Sequence, residues 1–206
     1  MDNHSEDYKK FLNDYFTGHP MIRGRGEEDT TVWEKLKGDE LEQAKLKVLD
    51  ELPSNQECYM RAASIFRDER AIDKLKQTSE HGDNVHSRAY AAKILFDWLG
   101  YDDYFKRLDE VFESDDQWSK TSLGLWIHGL KEEEALKYFW KAMNDKDSFV
   151  RFCSYEAIEF YYGIRKNRTD GFSIKYFTDE EVYLDKKLFE ERQAELKEKI
   201  ETWKKS

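Results

Sequence analysis

Proline, cysteine and long apolar runs are all scarce in this chain of 206 residues. The only prolines are Pro20 and Pro53, so the strongest helix breaker is absent from the rest of the chain. Cys58 and Cys153 stand far apart, which excludes a C-x-x-C motif or a zinc-ligand spacing and is typical of a reducing compartment. No apolar run approaches the roughly 20 residues of a membrane-spanning helix, and the acidic N-terminus is unlike a signal peptide. We therefore expect a cytoplasmic protein with no metal and no cofactor.

The charge balance argues against nucleic acid and membranes as partners. There are 34 basic and 44 acidic residues, which gives a net charge of -10. Such a surplus repels phosphate backbones and anionic lipids. Charged residues make up 38% and aromatic residues 15% of the chain, a combination typical of stacked amphipathic helices and not of disorder.

Apolar periodicity predicts helices from the N-terminus onward. An i, i+3, i+4, i+7, i+8 stripe predicts a first, capping helix, and its members are Tyr8, Phe11, Leu12, Tyr15 and Phe16. Residues 17–30 hold three glycines and a proline, which predicts a loop. Helices are expected over 31–37, 40–51 and 55–67, the second ended by Leu52-Pro53.

Helix starts are also indicated by capping boxes, and these pair Thr31 with Glu34, Ser54 with Glu57, and Thr178 with Glu181. The last one opens a charged helix over 178–204 with an apolar stripe. This stripe predicts a helix that closes the end of the fold.

From residue 70 onward the chain repeats a helix, turn, helix pattern. Residues 71–75, 104–108 and 135–139 align as first helices at intervals of 33 and 31 residues (71 to 104, 104 to 135). Second helices are expected over 85–99, 118–130 and 149–162. One helix pair cannot bury its own apolar stripe, so neighbouring pairs must stack.

Residues 147–158, Asp-Ser-Phe-Val-Arg-Phe-Cys-Ser-Tyr-Glu-Ala-Ile, resemble the Asp-x-x-Val-Arg-x-x-x-x-x-Ala-Leu pattern of short-period, PBS-lyase-type HEAT-like repeats. Residues 83–92 match it more loosely, and residues 116–120 of the middle pair lack both the valine and the arginine. The resemblance implies an all-α, right-handed α-α superhelix (a solenoid) of antiparallel helix pairs with N- and C-terminal capping helices. It also implies that Arg151 pairs with Asp147 across the turn.

The resulting layout is one helical-repeat domain over 1–206. It comprises a capping helix and loop (1–30), lead-in helices (31–69), three HEAT-like pairs (70–164), and a loop with the C-terminal capping helix (165–206).

Residues 96–116 form the most charged segment, with eight acidic, two basic and six aromatic residues. Acids beside aromatic anchors are typical of a docking surface for a basic protein. The alternative is that the rings are core and the acids a solvated rim. The acids that would face a partner are Asp97, Asp102, Asp103, Asp109, Glu113, Asp115 and Asp116.

Second helices usually line the concave side of a helical solenoid and make its contacts. Helical phase selects further candidate contact residues, each of which has packing between helices as its alternative: Tyr90, Lys93, Asp97, His128, Tyr155, Glu159 and Tyr162.

No residue pair has the spacing of a nucleophile with its base, so we predict no catalytic residues and no enzyme. His81 and His86 lack the spacing of a helical zinc motif, and Arg23 with Gly24-Arg25-Gly26 is best explained as a polar turn. The predicted function is a non-enzymatic protein-binding module. A narrower hypothesis is an immunity or inhibitor protein that masks a basic toxin or nuclease. The alternatives are a HEAT-like DNA-repair glycosylase, which would need a basic groove, and a structural scaffold in a larger assembly.

Overall fold

Every regular element in the described part of the chain is a helix or a helical turn, which confirms the all-α class. The computed structural model describes residues 4–19, 28–164 and 183–205. Its α-helices are α1 Glu6–Leu12, α2 Val32–Lys35, α3 Gly38–Glu51, α4 Glu57–Phe66, α5 Ile72–His81, α6 Val85–Leu99, α7 Asp103–Glu113, α8 Gln117–Thr121, α9 Leu123–Ile127, α10 Glu132–Met143, α11 Ser148–Tyr161 and α12 Lys186–Trp203. Within these ranges, none of the helices has both the length and the apolar character needed to cross a bilayer.

The chain divides into two compact units, residues 1–110 (unit 1) and 111–206 (unit 2), and the boundary falls inside α7. Each unit is described by itself. The single domain over 1–206 and the superhelical arrangement stay predictions.

The N-terminal aromatic stripe lies in the core of unit 1, as expected from its spacing. Tyr8, Phe11 and Tyr15 are buried, and α1 packs against α2 and α3. The Trp33 indole N–H donates to the Tyr15 hydroxyl over 3.0 Å. The α-helix itself ends at Leu12 and continues as a π-helical turn over Asn13–Thr17. The stripe therefore anchors the start of the chain.

The next three predicted helices exist, but their starts differ from the capping-box prediction. They begin at Val32, Gly38 and Glu57, and the second does end at Leu52-Pro53. Thr31 makes no side-chain capping bond, and the Ser54 hydroxyl accepts from the amide of Gln56 (3.0 Å), two residues on. The third box, at residues 178–181, lies outside the described residues.

The C-terminal helix is shorter than predicted in its described part. It starts at Lys186 after Asp185, whose carboxylate accepts from the amide of Leu188 at 3.1 Å. Leu196 and Ile200 are buried within unit 2, as the apolar stripe indicated. Its role in closing the end of a stack stays a prediction.

Two of the three predicted helix pairs are present: α5 packs against α6, and α10 packs against α11. The second helix expected over 118–130 is broken into α8 and α9 at Ser122. At this break the indole N–H of the buried Trp126 side chain donates a hydrogen bond to the backbone carbonyl of Ser119 at 2.8 Å. A side chain inserted into the backbone hydrogen-bond ladder is a common cause of a helix break.

Three second helices share the same start. Asn84, Asp116 and Asp147 are the N-caps of α6, α8 and α11, at intervals of 32 and 31 residues (84 to 116, 116 to 147). Each side chain accepts from the amide three residues on, at 2.8, 3.3 and 3.1 Å respectively. Such caps satisfy amides that have no partner inside the helix. The three N-cap residues therefore provide equivalent positions from which the second helices can be aligned.

A basic side chain follows each of these caps by four residues: Arg88, Lys120 and Arg151. Arg88 and Arg151 each donate to the carbonyl six residues earlier, that of Gly82 or Asp145, at 2.8 Å. Lys120 instead forms a buried ion pair with the Asp145 carboxylate at 2.9 Å. The middle pair, which lacks the arginine, therefore fills the same position with a lysine.

The turn before α11 is held differently from the pairing that the resemblance implied. The Asp147 carboxylate caps α11. The buried Arg151 guanidinium donates to the backbone carbonyls of Asp145 and Lys146, at 2.8 and 3.0 Å.

Candidate functional site

The shared caps define equivalent positions on the second helices. Positions two, six, nine and thirteen after each cap lie along one side of a helix, because they are spaced by three or four residues. We call this side the cap-aligned face. On the two continuous helices it holds His86, Tyr90, Lys93 and Asp97 (α6) and Phe149, Cys153, Glu156 and Phe160 (α11). The same counts after Asp116 give Trp118, Ser122, Leu125 and Gly129, in the stretch where the helix is broken into α8 and α9.

In unit 1 this face is closed by a polar cluster, which comprises Glu28, Glu57, Arg61, His86 and Tyr90. His86 Nε2 lies 2.8 Å from Glu57 Oε1 on α4, and the Tyr90 hydroxyl is hydrogen-bonded to Arg61. Arg61 Nη1 lies 3.1 Å from Glu28 Oε1, which comes from the chain before α2. The cluster therefore joins the lead-in helix α4, the second helix α6 and the chain segment before α2.

Burial makes the members of the polar cluster depend on one another. The Glu28 side chain is fully buried, so Arg61 must offset its charge. The hydrogen bond from His86 lowers the pKa of Glu57. Burial raises the pKa of Tyr90, and the charge of Arg61 opposes that rise. Farther along α6, Lys93 is buried and pairs with Asp97.

In unit 2 the same face exposes large aromatic side chains. Trp118 is 72% exposed, Phe149 55% and Phe160 66%. Leu125 is also exposed, and the Phe149 ring stacks beside Phe152 with centroids 6.1 Å apart. The large apolar side chains that unit 1 exposes among its described residues are aliphatic: Leu46, Ile65 and Leu99. A concentration of exposed rings marks an interaction surface more often than chance exposure does.

Two adjoining cavities of about 370 and 290 Å³ lie beside Phe160, and the smaller one also lies beside Leu125. Gly124, Ala157 and Phe160 line both, and we call the pair the α9/α11 groove. A Cβ atom on Gly124 would lie 3.7 Å from that of Ala157, so small residues form the floor. The remaining lining comes from Thr121, Ser122, Leu125, Ile127, His128, Gly129, Leu130, Cys153, Glu156 and Tyr161.

Acidic groups surround the groove at both ends. The pKa of the Cys153 thiol is raised by burial and by the charge of Glu156. The pKa of Tyr161 is raised by burial and by Glu132 and Glu134. The Cys153 thiol therefore stays protonated at neutral pH, which makes it a weak nucleophile. The small floor and the Phe160 wall suit the groove to binding an apolar group.

Some of the unit 1 acids that were predicted to face a partner form ion pairs within that unit. Asp97 forms the ion pair already described, and Asp103 lies 3.3 Å from Arg107. Asp109 is half-buried. Asp102 is exposed and, within the described part of the chain, forms no ion pair.

The predicted acids of unit 2 divide in the same way. Asp116 caps α8, and Asp115 lies 3.7 Å from Lys146 at the surface. Glu113 is exposed, with no ion pair among the residues that the structure describes. Part of the acidic segment is therefore neutralised by ion pairs, and Asp102 and Glu113 keep exposed charges.

The rings of the acidic segment pack inside their own units. Phe96 lies 5.2 Å from Tyr104 and 5.5 Å from Phe105 between ring centroids in unit 1. Phe112 lies 5.7 Å from Tyr138 in unit 2. These contacts favour the core interpretation of the rings.

The other predicted contact residues differ in exposure. His128 is exposed and lines the α9/α11 groove. Tyr155 and Tyr90 are both buried, so neither is available as an exposed contact residue. Glu159 is half-buried, and the Tyr162 hydroxyl donates to Glu132 at 3.2 Å.

Metal-binding geometry is absent from the described residues, where no group of three or more His, Cys, Asp or Glu side chains converges. His86 bonds Glu57, while His81 is exposed and lies 3.7 Å from Glu80. Arg23 and Gly24-Arg25-Gly26 lie outside the described residues.

Fold and site together define an all-α protein of cap-aligned helix pairs, with an apolar groove between two second helices of unit 2. No family model, curated protein or solved structure matches the chain. The HEAT-like resemblance stays a prediction, and function is argued from the site alone.

The apolar stripe of α11 gives a helical phase that selects Tyr155, Glu159 and Tyr162, and this phase does not predict the aromatic surface. Aligning the three caps instead would have selected Phe149 and Phe160. The signal was present in the spacing of the turn residues.

Proposed function

We propose that this protein is a non-enzymatic binding module that docks another protein on the cap-aligned face of unit 2. The observation that carries the proposal is the exposure of Phe160, which lines the α9/α11 groove, together with the exposure of Trp118 and Phe149 in the same unit. Exposed rings next to a pocket are the usual anchors of protein interfaces, where a few such residues supply most of the affinity.

The scaffold beneath this face is rigid, which favours binding by a preformed surface. Trp126 is fully buried and bonds the Ser119 carbonyl, and the buried Arg151 holds the turn before α11. The side chains above this scaffold stay in solvent. Their apolar area stabilises the free protein little, because it is not removed from water.

The narrower proposal, an immunity or inhibitor protein for a basic toxin or nuclease, is supported by the net charge of -10. Exposed Asp102 and Glu113 add charge that can steer a basic partner. The binding energy, however, is assigned to the aromatic face and not to the acidic segment.

The test is affinity capture from the source cells with three purified proteins. They are the wild type, a Phe149→Ser/Phe160→Ser variant and a Leu46→Ser control, whose apolar side chain is 44% exposed in unit 1. We expect a discrete partner to bind the wild type and the control alike. The affinity of that partner, measured with the purified pair, should fall at least about tenfold in the Phe149→Ser/Phe160→Ser variant.

Equal affinity of all three proteins for the partner would refute the assignment of the face. A partner that binds only through residues of unit 1 would refute it as well. Circular dichroism and urea unfolding of each variant establish that it is folded before binding is compared.

A further inference from the structure

A single histidine stands at the groove of unit 2. The other four of the five histidines precede residue 111, so His128 is the only one in unit 2. It is exposed and lines the larger cavity of the α9/α11 groove. Its imidazole forms no hydrogen bond, ion pair or ring contact with the described part of the chain. Because histidine changes its charge between about pH 5 and 8, the charge at the groove changes in that range.

The other titratable groups at the groove keep their charge over this range. Burial raises the pKa of the Cys153 thiol and of the Tyr161 hydroxyl, so both stay protonated at neutral pH and below. Four carboxylates act on these two groups: those of Glu132, Glu134, Asp147 and Glu156. Carboxylic acids are ordinarily ionised above about pH 5.5. A change in the charge of the groove between neutral pH and that value therefore comes from His128.

A bound apolar group separates His128 from water. The larger cavity has a volume of about 370 Å³, and a cavity of about 150 Å³ already admits benzene. A group that rests on Gly124 and Ala157 fills the space that the imidazole lines and excludes water from it. Loss of water costs a charged imidazolium free energy unless an opposite charge replaces the water. Among the described residues His128 has no such partner, so its neutral form tolerates coverage better.

We propose that His128 makes the α9/α11 groove pH-dependent: the groove accepts an apolar side chain of the docked protein while the imidazole is neutral, and protonation of His128 opposes binding. This inference rests on the proposed function and specifies how the docking face is regulated. Binding that favours the neutral imidazole releases a proton from the charged form, so affinity falls as pH falls. Full exclusion of the charged form of a histidine that titrates at about pH 6.5 lowers affinity about tenfold between about pH 7.5 and about pH 5.5.

The experiment titrates N-phenyl-1-naphthylamine, a neutral apolar fluorophore, into the whole chain at about pH 7.5, 6.5 and 5.5. The wild type is compared with Phe160→Ser, His128→Gln and His81→Gln. The last variant is the matched control, because His81 is an exposed histidine of unit 1. Binding in the groove is the part of the signal that Phe160→Ser removes. Circular dichroism at each pH establishes that every variant is folded.

We expect the affinity of the groove for the fluorophore to fall about three- to tenfold between about pH 7.5 and about pH 5.5 in the wild type. His81→Gln should show the same loss, and His128→Gln should bind equally at each pH. A wild type without this loss, or a His128→Gln variant that keeps it, would overturn the inference. Absence of any Phe160-dependent binding would overturn it as well.

The partner captured from the source cells separates this inference from the proposed function. Its affinity for the wild type and for His128→Gln is measured over the same pH range. A partner that needs Phe149 and Phe160, yet shows the same pH dependence with both proteins, would overturn the inference and leave the proposed function intact. A partner that ignores the Phe149→Ser/Phe160→Ser variant would overturn the proposed function itself.

Discussion

The same four helix positions are closed in unit 1 and open in unit 2. On α6 they carry polar side chains that pair with neighbours, such as His86 with Glu57 and Lys93 with Asp97. On α11 they carry Phe149 and Phe160, which remain in solvent. Repetition of the caps fixes which side of each second helix is equivalent. The side chains placed there decide whether that side holds the fold together or is free to bind.

The two faces differ in what they contribute to stability. A buried charge is tolerated only with its partner, so the polar cluster of unit 1 is sensitive to the loss of any member. The exposed rings of unit 2 can be removed at little cost, because surface substitutions usually change stability by under about 0.5 kcal/mol. Mutations at equivalent positions should therefore lower stability in unit 1 and lower partner binding in unit 2.

The largest effect is expected from Arg61→Ala. It leaves the buried carboxylate of Glu28 without its partner at 3.1 Å. The free energy of unfolding, measured by urea denaturation, should fall by about 3 kcal/mol or more. Arg70→Ala, which breaks exposed ion pairs with Asp68 and Glu42, is the control and should cost under about 1 kcal/mol. Equal costs would mean that the polar cluster is not structural.

A comparable loss is expected from Lys120→Met in unit 2. Its ammonium is buried against Asp145 at 2.9 Å, so substitution leaves that carboxylate uncompensated. We expect about 3 kcal/mol of destabilisation by urea denaturation. Lys146→Met, at an exposed pair with Asp115, should be nearly neutral. A neutral Lys120→Met would contradict the assignment of Lys120 to the position that arginine holds in the other pairs.

The shared caps should have similar, moderate effects. Alanine at Asn84 or Asp116 removes one side-chain bond to a helix amide, and alanine at Asp147 removes two. Each variant should lose about 1 kcal/mol in thermal or urea unfolding. Ser54→Ala is the contrast, since this hydroxyl does not cap α4. A loss confined to one of the three caps would argue that the register is a coincidence of sequence.

The smallest effect concerns pH. The hydrogen bond from His86 lowers the pKa of Glu57 below its ordinary 4.5. The bond therefore stabilises the folded state fully above about pH 4.5, and this contribution is lost as pH falls through the folded-state pKa. Between about pH 6 and about pH 3.5, wild type should lose up to about 1 kcal/mol more than Glu57→Gln. A Glu51→Gln control, at an exposed helix end, should follow the wild type.

Much of the fold could be predicted from periodicity. The stripe through Tyr8, Phe11 and Tyr15, the stop at Leu52-Pro53 and the helix over 85–99 all follow from local rules. The break at Ser122 could not be predicted, because it depends on where the Trp126 indole finds an acceptor. The Thr31 and Ser54 boxes were wrong because the adjacent backbone turns differ from the capping geometry.

The site was harder to predict than the fold. The acidic segment was prominent in sequence, yet partners such as Arg107 lie on the same helix and neutralise part of it. The exposure of Phe149 and the partial burial of His86 cannot be predicted from these residues alone. The environment of His86 depends on Glu57 of the neighbouring helix α4, which lies 2.8 Å away.

The most direct test of the contrast between the two faces is site-specific photocrosslinking in the source cells. p-Benzoylphenylalanine replaces Phe160 in one protein and the exposed Leu46 of unit 1 in another. We predict a discrete crosslinked protein from position 160 that is lost when Phe149→Ser is added, and none from position 46. Crosslinking to the same partner from both positions, or from position 46 alone, would contradict the account.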